Sequence, residues 1–288
     1  MILQSSLNEQ LNNIIYTVIK RSDLNIENIN NTDMLKKIYH KYLYLKQNRS
    51  IDFSKNIRVI IENEITMKLK EQFDGLGESD LDDLNQKNVI IPIEDHLLKE
   101  KKIKIENAIE KLREISEDHY ALLNILITDI FIMPSNIASG GSSSECIGLV
   151  WANPKISHPT IDIVEFLIHE MTHNCMFIDE HNHLHYNYEK ILLKENWAMS
   201  AILKKPRPID KVLHSIIVST EILLLRDKII GHPNKPKVHP PTKLLKEQTI
   251  ISINSLENIF LKNENINNLI TSRAIDLLNN SKSILINI

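Results

Sequence analysis

His169-Glu170-Met171-Thr172-His173 is the stretch of this sequence whose residue types and spacing spell out a chemistry. Two histidines four apart lie on one face of a helix, so both imidazoles can reach a single metal ion. Glu170, next to the first histidine, can stand beside the ion's open position and hold or deprotonate a bound water. The bare HExxH pattern arises by chance in about 4% of chains of this composition, so it needs its context. That context is VEFLIHEMTHNCMFI, an apolar run at helical spacing. Two imidazoles and a carboxylate are costly to bury there unless they share a partner.

A protein-held ion needs a third ligand. A metzincin would have glycine at 176 and histidine at 179, where this chain has Met176 and Asp179. Asp179 would then have to serve as a carboxylate from the same helix. Gluzincins use a glutamate from the next helix, which points to Glu195, 22 residues after His173. His214 and Glu221, seven apart, would share one face of a later helix.

Other residue types capable of chemistry read more simply. His181, His183 and His185 alternate in DEHNHLHYNYEK and read as a polar loop. His158, His232 and His239 flank prolines and read as loop residues. Cys175, two residues after His173, points away from the ligand face and reads as core. Trp151 and Trp197 read as packing residues.

Around the motif the chain resembles a known family. An HExxH helix, then Pro206-Arg207-Pro208, then a helix whose start carries His214 in Lys-Val-Leu-His-Ser, is similar to the arrangement in the HExxH-type peptide β-hydroxylases. These are 2-oxoglutarate-dependent enzymes associated with modified-peptide gene clusters. The upstream succession ITDIFIM, GGSSS and CIGLVWA is also similar to that family, so the resemblance covers residues 123–230. It implies Fe(II) and 2-oxoglutarate as cofactors and hydroxylation of a peptide or amino-acid-derived substrate, free or presented on a carrier or leader. Iron(II) oxygenases use a facial set of three ligands. His169, His173 and His214 supply one such set; Glu170, Asp179 or Glu221 would complete a set with one carboxylate. The distal carboxylate of the keto acid needs a planar or cationic donor, for which Arg207 and Arg226 are the candidates. The alternative is a zinc metallopeptidase of gluzincin type, with Glu170 as general base and an extended peptide paired to the strand at 146–152.

The elements that must position these residues follow from hydrophobic periodicity. Segments 8–20, 33–46, 55–73 and 96–118 carry apolar residues at helical spacing, with breaks at 21–25, 48–52 and 74–83. Residues 123–133 and 146–152 read as two strands joined by a Gly/Ser loop, hence an antiparallel pair. The motif helix is expected over 161–178, with Thr160 as its N-cap and Asp162 and Glu165 in its first turns. A further helix is expected over 189–203. A long one follows Pro208 from 208 to 229 and stops at Gly231. After the Pro-rich loop, residues 242–288 give two or three more helices.

The fold class expected is mainly α (α+β): a helical N-terminal region over 1–118, a catalytic core over 119–231 with a small antiparallel sheet beside a zincin-like HExxH helix, and a Pro-rich loop with helices over 232–288. At 288 residues the chain can bury a substantial core. Only six glycines make a large barrel or propeller a poor fit. The balance of 34 basic against 37 acidic residues gives a net charge of −3, which provides no global field for nucleic acid or anionic membranes. The first residues lack the pattern of a secretion signal. No apolar run reaches the roughly 20 residues of a membrane span. Two cysteines make no disulfide framework, which points to a cytoplasmic setting.

Overall fold

A computed structural model of the chain describes residues 2–24, 29, 31–53, 56–73, 89–91, 96–263 and 266–288. The turn expected at 74–83 lies outside the described residues. The chain forms two compact units, one of residues 7–178 and one of residues 1–6 with 179–288.

The first unit opens with helices α1 (Leu7–Arg21) and α2 (Thr32–Gln47). The Asn31 side chain caps α2 by accepting from the Met34 amide at 2.9 Å, and Asn48 ends it in the left-handed region at φ 48°. The segment 55–73, expected as one helix, divides into strand β1 (Arg58–Ile60) and helix α3 (Asn63–Phe73). A three-residue apolar run inside a helical-looking window cannot declare itself by periodicity. Pairing decides it: the Arg58 amide donates to Thr128 O at 3.1 Å.

The segment 96–118 also divides. Helix α4 (Leu98–Ile115) ends at Ser116, whose backbone is extended at φ −159° and ψ 99°. The Ser116 hydroxyl then caps α5 (Glu117–Leu126). Residues 123–126, expected as strand, therefore close a helix.

Strands β2 (Asp129–Ile132) and β4 (Leu149–Ala152) run parallel, which overturns the expected antiparallel hairpin. The reason lies in the segment expected as a loop. Gly140–Ser142 is a strand, β3, antiparallel to β4. With one reversal spent on β3, β4 must run in the direction of β2. The sheet order is β1-β2-β4-β3, with β1 parallel to β2. The sheet is thus mixed rather than antiparallel. Its interior side is filled by Ile60, Leu69, Phe131, Met133, Leu149 and Trp151. Asp129, fully buried, is pinned by Arg49, by Arg58 Nε at 2.6 Å and by Thr128 Oγ1 at 2.9 Å. Helix α6 (Thr160–Asn182) follows β4 and carries the motif.

In the second unit the helix expected over 189–203 is largely absent. A single turn α7 (Tyr188–Ile191) and a 3-10 turn at Lys194–Asn196 lead into a small hairpin, β5 (Ala198–Met199) with β6 (Pro206–Arg207). Lys204, at φ 53°, makes the hairpin's left-handed turn. Helix α8 (Ile209–Leu225) continues as a π-helical turn over Arg226–Ile230 and stops at Gly231, φ 76°. Every residue of α8 except Lys211 is buried, the pattern of a helix covered on all faces. Helices α9 (Thr242–Lys262) and α10 (Ser272–Asn287) pack against it. Residues Leu3 and Gln4 dock on the same helix, both donating to Glu221. The whole is mainly helical with a small sheet, the α+β class expected. Among the described residues no helix is long and apolar enough to cross a membrane.

Candidate metal centre on helix α6

The apolar residues of the motif run, from Ile163 and Val164 to Met176 and Ile178, are all buried. Along residues 162–179 of α6 every residue is buried except His169 and His173. Within that stretch those two imidazoles are where the helix reaches solvent. Their Nε2 atoms stand 3.1 Å apart, with ring centroids at 4.9 Å. His173 is steadied on its other side by the Phe177 ring, nearly parallel at 6.2 Å.

This spacing suits a shared ion. Two ligand nitrogens each about 2 Å from one metal can stand roughly this far apart. Two Nε2 atoms facing each other without an ion can share only one proton between them; an ion satisfies both lone pairs. Among the described residues no group of three His, Cys, Asp or Glu side chains is gathered closely enough to hold an ion, so α6 itself contributes a pair of donors.

Glu170 is the third member of the motif. Its Oε1 lies 4.0 Å from His169 Nε2, and its Oε2 accepts from Ser142 Oγ at 2.8 Å. Burial pushes its carboxyl up to about 8, against the opposing effect of the Ser142 hydrogen bond. Ser142 is held in turn by Asn174, whose Nδ2 donates to Ser142 Oγ at 3.1 Å and to Glu170 O at 2.8 Å. Asn174 Oδ1 accepts from the Gly148 amide at 2.8 Å. One side chain of α6 thus ties together β3, the start of β4 and the motif.

Two glycines make the approach possible. A Cβ on Gly140 would lie 2.5 Å from the Phe166 ring and 2.5 Å from Trp151 O. Its absence lets β3 lie against α6 and bring Ser142 to Glu170. Gly148, at φ 85°, sits against Leu126 O and turns its amide toward Asn174. Neither Ser142 nor Asn174 stood out in the sequence. Ser142 is one of three consecutive serines, and an asparagine one turn after a glutamate is an ordinary helix residue. The Gly140-Gly141 pair beside them was the available signal for close backbone packing.

The other candidates lie in the second unit. Asp179 is fully buried; its Oδ1 accepts from His185 Nε2 at 2.7 Å and from Arg273 Nε at 2.9 Å. Burial opposes its charge, but these bonds overcome it and hold the carboxyl well below the usual range. His185, expected as a loop residue, is therefore fixed and buried. Glu195 is exposed in the 3-10 turn. Glu221 is buried, with Oε1 accepting from the Leu3 amide at 2.9 Å and Oε2 from Gln4 Nε2 at 3.0 Å. His214 is buried near the start of α8. Burial first, then the charges of Lys211 and Arg207 with His185, keep its imidazole neutral well below its ordinary pKa. Arg207 is buried on β6. Arg226 is fully buried and donates through Nη1 to Pro240 O at 2.8 Å. Cys146 and Cys175 are buried free thiols, and Trp151 is core, its Nε1 donating to Met133 O at 2.9 Å.

Compared with known proteins, the chain matches no protein-family model and no curated protein sequence. Fold and site together define an α+β protein with paired imidazoles presented on a buried HExxH helix.

Proposed function

We propose that this protein is a metal-dependent oxygenase that uses Fe(II) and 2-oxoglutarate to hydroxylate a peptide or amino-acid-like substrate. The observation that carries the metal is the 3.1 Å approach of His169 and His173 Nε2 at the point where α6 meets solvent. The donor chemistry supports His214 as the third ligand. A ligating histidine must be neutral, and His214 is held so. Two of the carboxylates weighed as third ligand are committed elsewhere, Asp179 to Arg273 and His185, Glu221 to Leu3 and Gln4.

Iron bound there would supply O2-dependent chemistry, in which one oxygen atom goes to the decarboxylated keto acid and the other to the hydroxylated C–H bond. The chain's own residues orient and shield. Arg207, whose charge is felt by His214, is the proposed partner for the cosubstrate's distal carboxylate, since Arg226 is locked against Pro240. Glu170, raised by burial in the metal-free chain and fixed by Ser142, is positioned to hydrogen-bond a group beside the imidazole pair.

A zinc peptidase remains the second reading, favoured by one observation. Glu170 hangs from β3, an edge strand of the sheet, where an extended peptide could be paired. The strand at 146–152 expected for that role is flanked by β2 and β3 instead.

An anaerobic titration with Fe(II) and 2-oxoglutarate separates the two. The oxygenase gives a visible charge-transfer band that is lost in His169→Ala, His173→Ala and His214→Ala. Absence of the band in the wild type, with stoichiometric zinc retained and peptide cleavage lost in Glu170→Gln, would establish the peptidase.

A further inference from the structure

The unit of residues 179–288 is joined by residues 1–6, from the other end of the chain. That leading segment is held as a bound peptide is held. Residues 2–4 form a turn against α8 and α10, two helices that pack on each other. The Leu3 amide donates to Glu221 Oε1 at 2.9 Å, and Gln4 O accepts from Asn280 Nδ2 at 2.7 Å. The Gln4 side-chain amide is read at both ends. Its Nε2 donates to Ile217 O at 2.7 Å and to Glu221 Oε2 at 3.0 Å, and its Oε1 accepts from Ser281 Oγ at 3.0 Å. All of these bonds converge on two adjacent residues, so the groups that make them face one groove.

The walls of the groove need no help from the chain connection. Ile217, Glu221, Asn280 and Ser281 stand at least 213 positions from the residues they hold. Ile217, Glu221 and Ser281 are 1%, 0% and 0% exposed, whereas Asn280 stands at an exposed rim. A carboxylate at such depth favours a ligand that brings N–H groups to it. The segment itself lies at the surface: Ile2 is buried, Leu3, Gln4 and Ser5 are half-buried, and Ser6 is exposed. A short surface segment opens at lower free energy than the packed helices beneath it, so it can be exchanged. Ile217 and Glu221 also follow His214 by three and seven residues, on one face of α8. The groove therefore lies about 10 Å along that helix from the proposed third ligand.

We propose that the groove between α8 and α10 is a docking site for a peptide in which glutamine follows two apolar residues, and that residues 2–4 fill it in cis until such a peptide displaces them. A glutamate in that position would set an oxygen against Ile217 O and Glu221. A leucine would leave Ile217 O, Glu221 Oε2 and Ser281 Oγ without the partners that glutamine supplies. On the hydroxylase reading given above, on which this step rests, the docked peptide is the recognition segment of the substrate. The docking itself rests on the groove alone.

Fluorescence anisotropy of the metal-free full chain tests it. The probe is the acetylated pentapeptide Ile-Leu-Gln-Ser-Ser with a fluorophore at its C-terminal end. Gln4→Ala weakens the cis occupant and should bind the probe about tenfold more tightly than wild type, because the competing state is removed. In that variant a probe with glutamate in place of glutamine should bind at least about tenfold more weakly. Adding Asn280→Ala, at the exposed rim, should weaken the original probe severalfold. Should Gln4→Ala fail to fold, hydrogen exchange of the wild-type Leu3 amide serves instead, and should quicken as saturating probe displaces the segment. No binding to the folded variant, equal binding of the glutamate probe, or Leu3 exchange unchanged by the probe would overturn the docking. These measurements contain no metal. A missing charge-transfer band in the iron titration would thus overturn the hydroxylase reading and the substrate assignment, and leave the docking standing.

Discussion

Ser142 Oγ donates to Glu170 Oε2 at 2.8 Å, so an edge strand of the sheet holds the acid of the HExxH motif. The bond joins two residues 28 apart in sequence, and Asn174 fixes it from the next turn of α6. Placement of Glu170 therefore depends on the sheet as much as on the helix that bears it.

Ser142→Ala should expose that dependence. It leaves one oxygen of a buried carboxyl without its donor, a loss of about 1–3 kcal/mol. For a chain of this size each kcal/mol lowers Tm by about 2–4 °C. The Glu170 carboxyl, already raised to about 8, should rise further, because Ser142 is what opposes its burial. Calorimetry and an NMR titration of the metal-free protein measure the two effects, and Ser142→Thr should restore both.

Arg273→Met should strike the second unit. Asp179 would stay buried with His185 as its remaining partner of the two, and breaking such a pair costs about 3–5 kcal/mol. The pH dependence has a definite sign. The folded carboxyl is depressed, so its contribution is present above the unfolded value near 3.8 and is lost as pH falls through the folded one. Wild type should keep this contribution at neutral and mildly acid pH, while the variant lacks it throughout. Urea midpoints at pH 7 and pH 5 should differ between the two proteins by the same amount.

His40 supplies the opposite behaviour in mild acid. It is buried, its Nε2 meets Ile125 O at 2.9 Å, and burial lowers its pKa from 6.5 to about 4 against the help of that carbonyl. The unfolded chain then takes up a proton that the folded one refuses, so stability falls as pH drops from 6.5 toward 4. The loss amounts to about 2 kcal/mol by pH 5. His40→Gln keeps an N–H for Ile125 and carries no titrating group. Denaturant midpoints between pH 7 and 5 should fall less in that variant than in wild type.

How far these arrangements could be read from the residues depended on whether a local pattern or a distant partner set them. Helix α8 was legible because Pro208, a largely apolar body and Gly231 mark its start, length and end within one segment. The HExxH pair was legible for the same reason, since four residues of one helix fix both imidazoles. The break at Ser116 was not, because a serine between two helical patterns looks like any polar helix residue until its backbone turns extended. The direction of β4 depended on whether Gly140–Ser142 paired with it, and Gly/Ser composition suggests a loop. His185 looked solvated in a run of alternating histidines; Arg273, 94 residues from Asp179, completes the network that fixes it.

Gly140→Ala tests whether the sheet and the motif are coupled as the Ser142 bond implies. The added methyl would meet the Phe166 ring and Trp151 O at 2.5 Å. The ring could yield, but the carbonyl belongs to β4 and is held by the sheet, so β3 must shift and carry Ser142 with it. Overpacking of this kind costs about 1–3 kcal/mol. Its particular consequence is that Ser142 should withdraw from Glu170, reproducing the further rise in the Glu170 carboxyl expected for Ser142→Ala. Adding Phe166→Ala should recover little, because the backbone contact persists. A Gly140→Ala protein that loses stability but leaves the Glu170 titration unmoved would show that β3 and the motif are positioned separately.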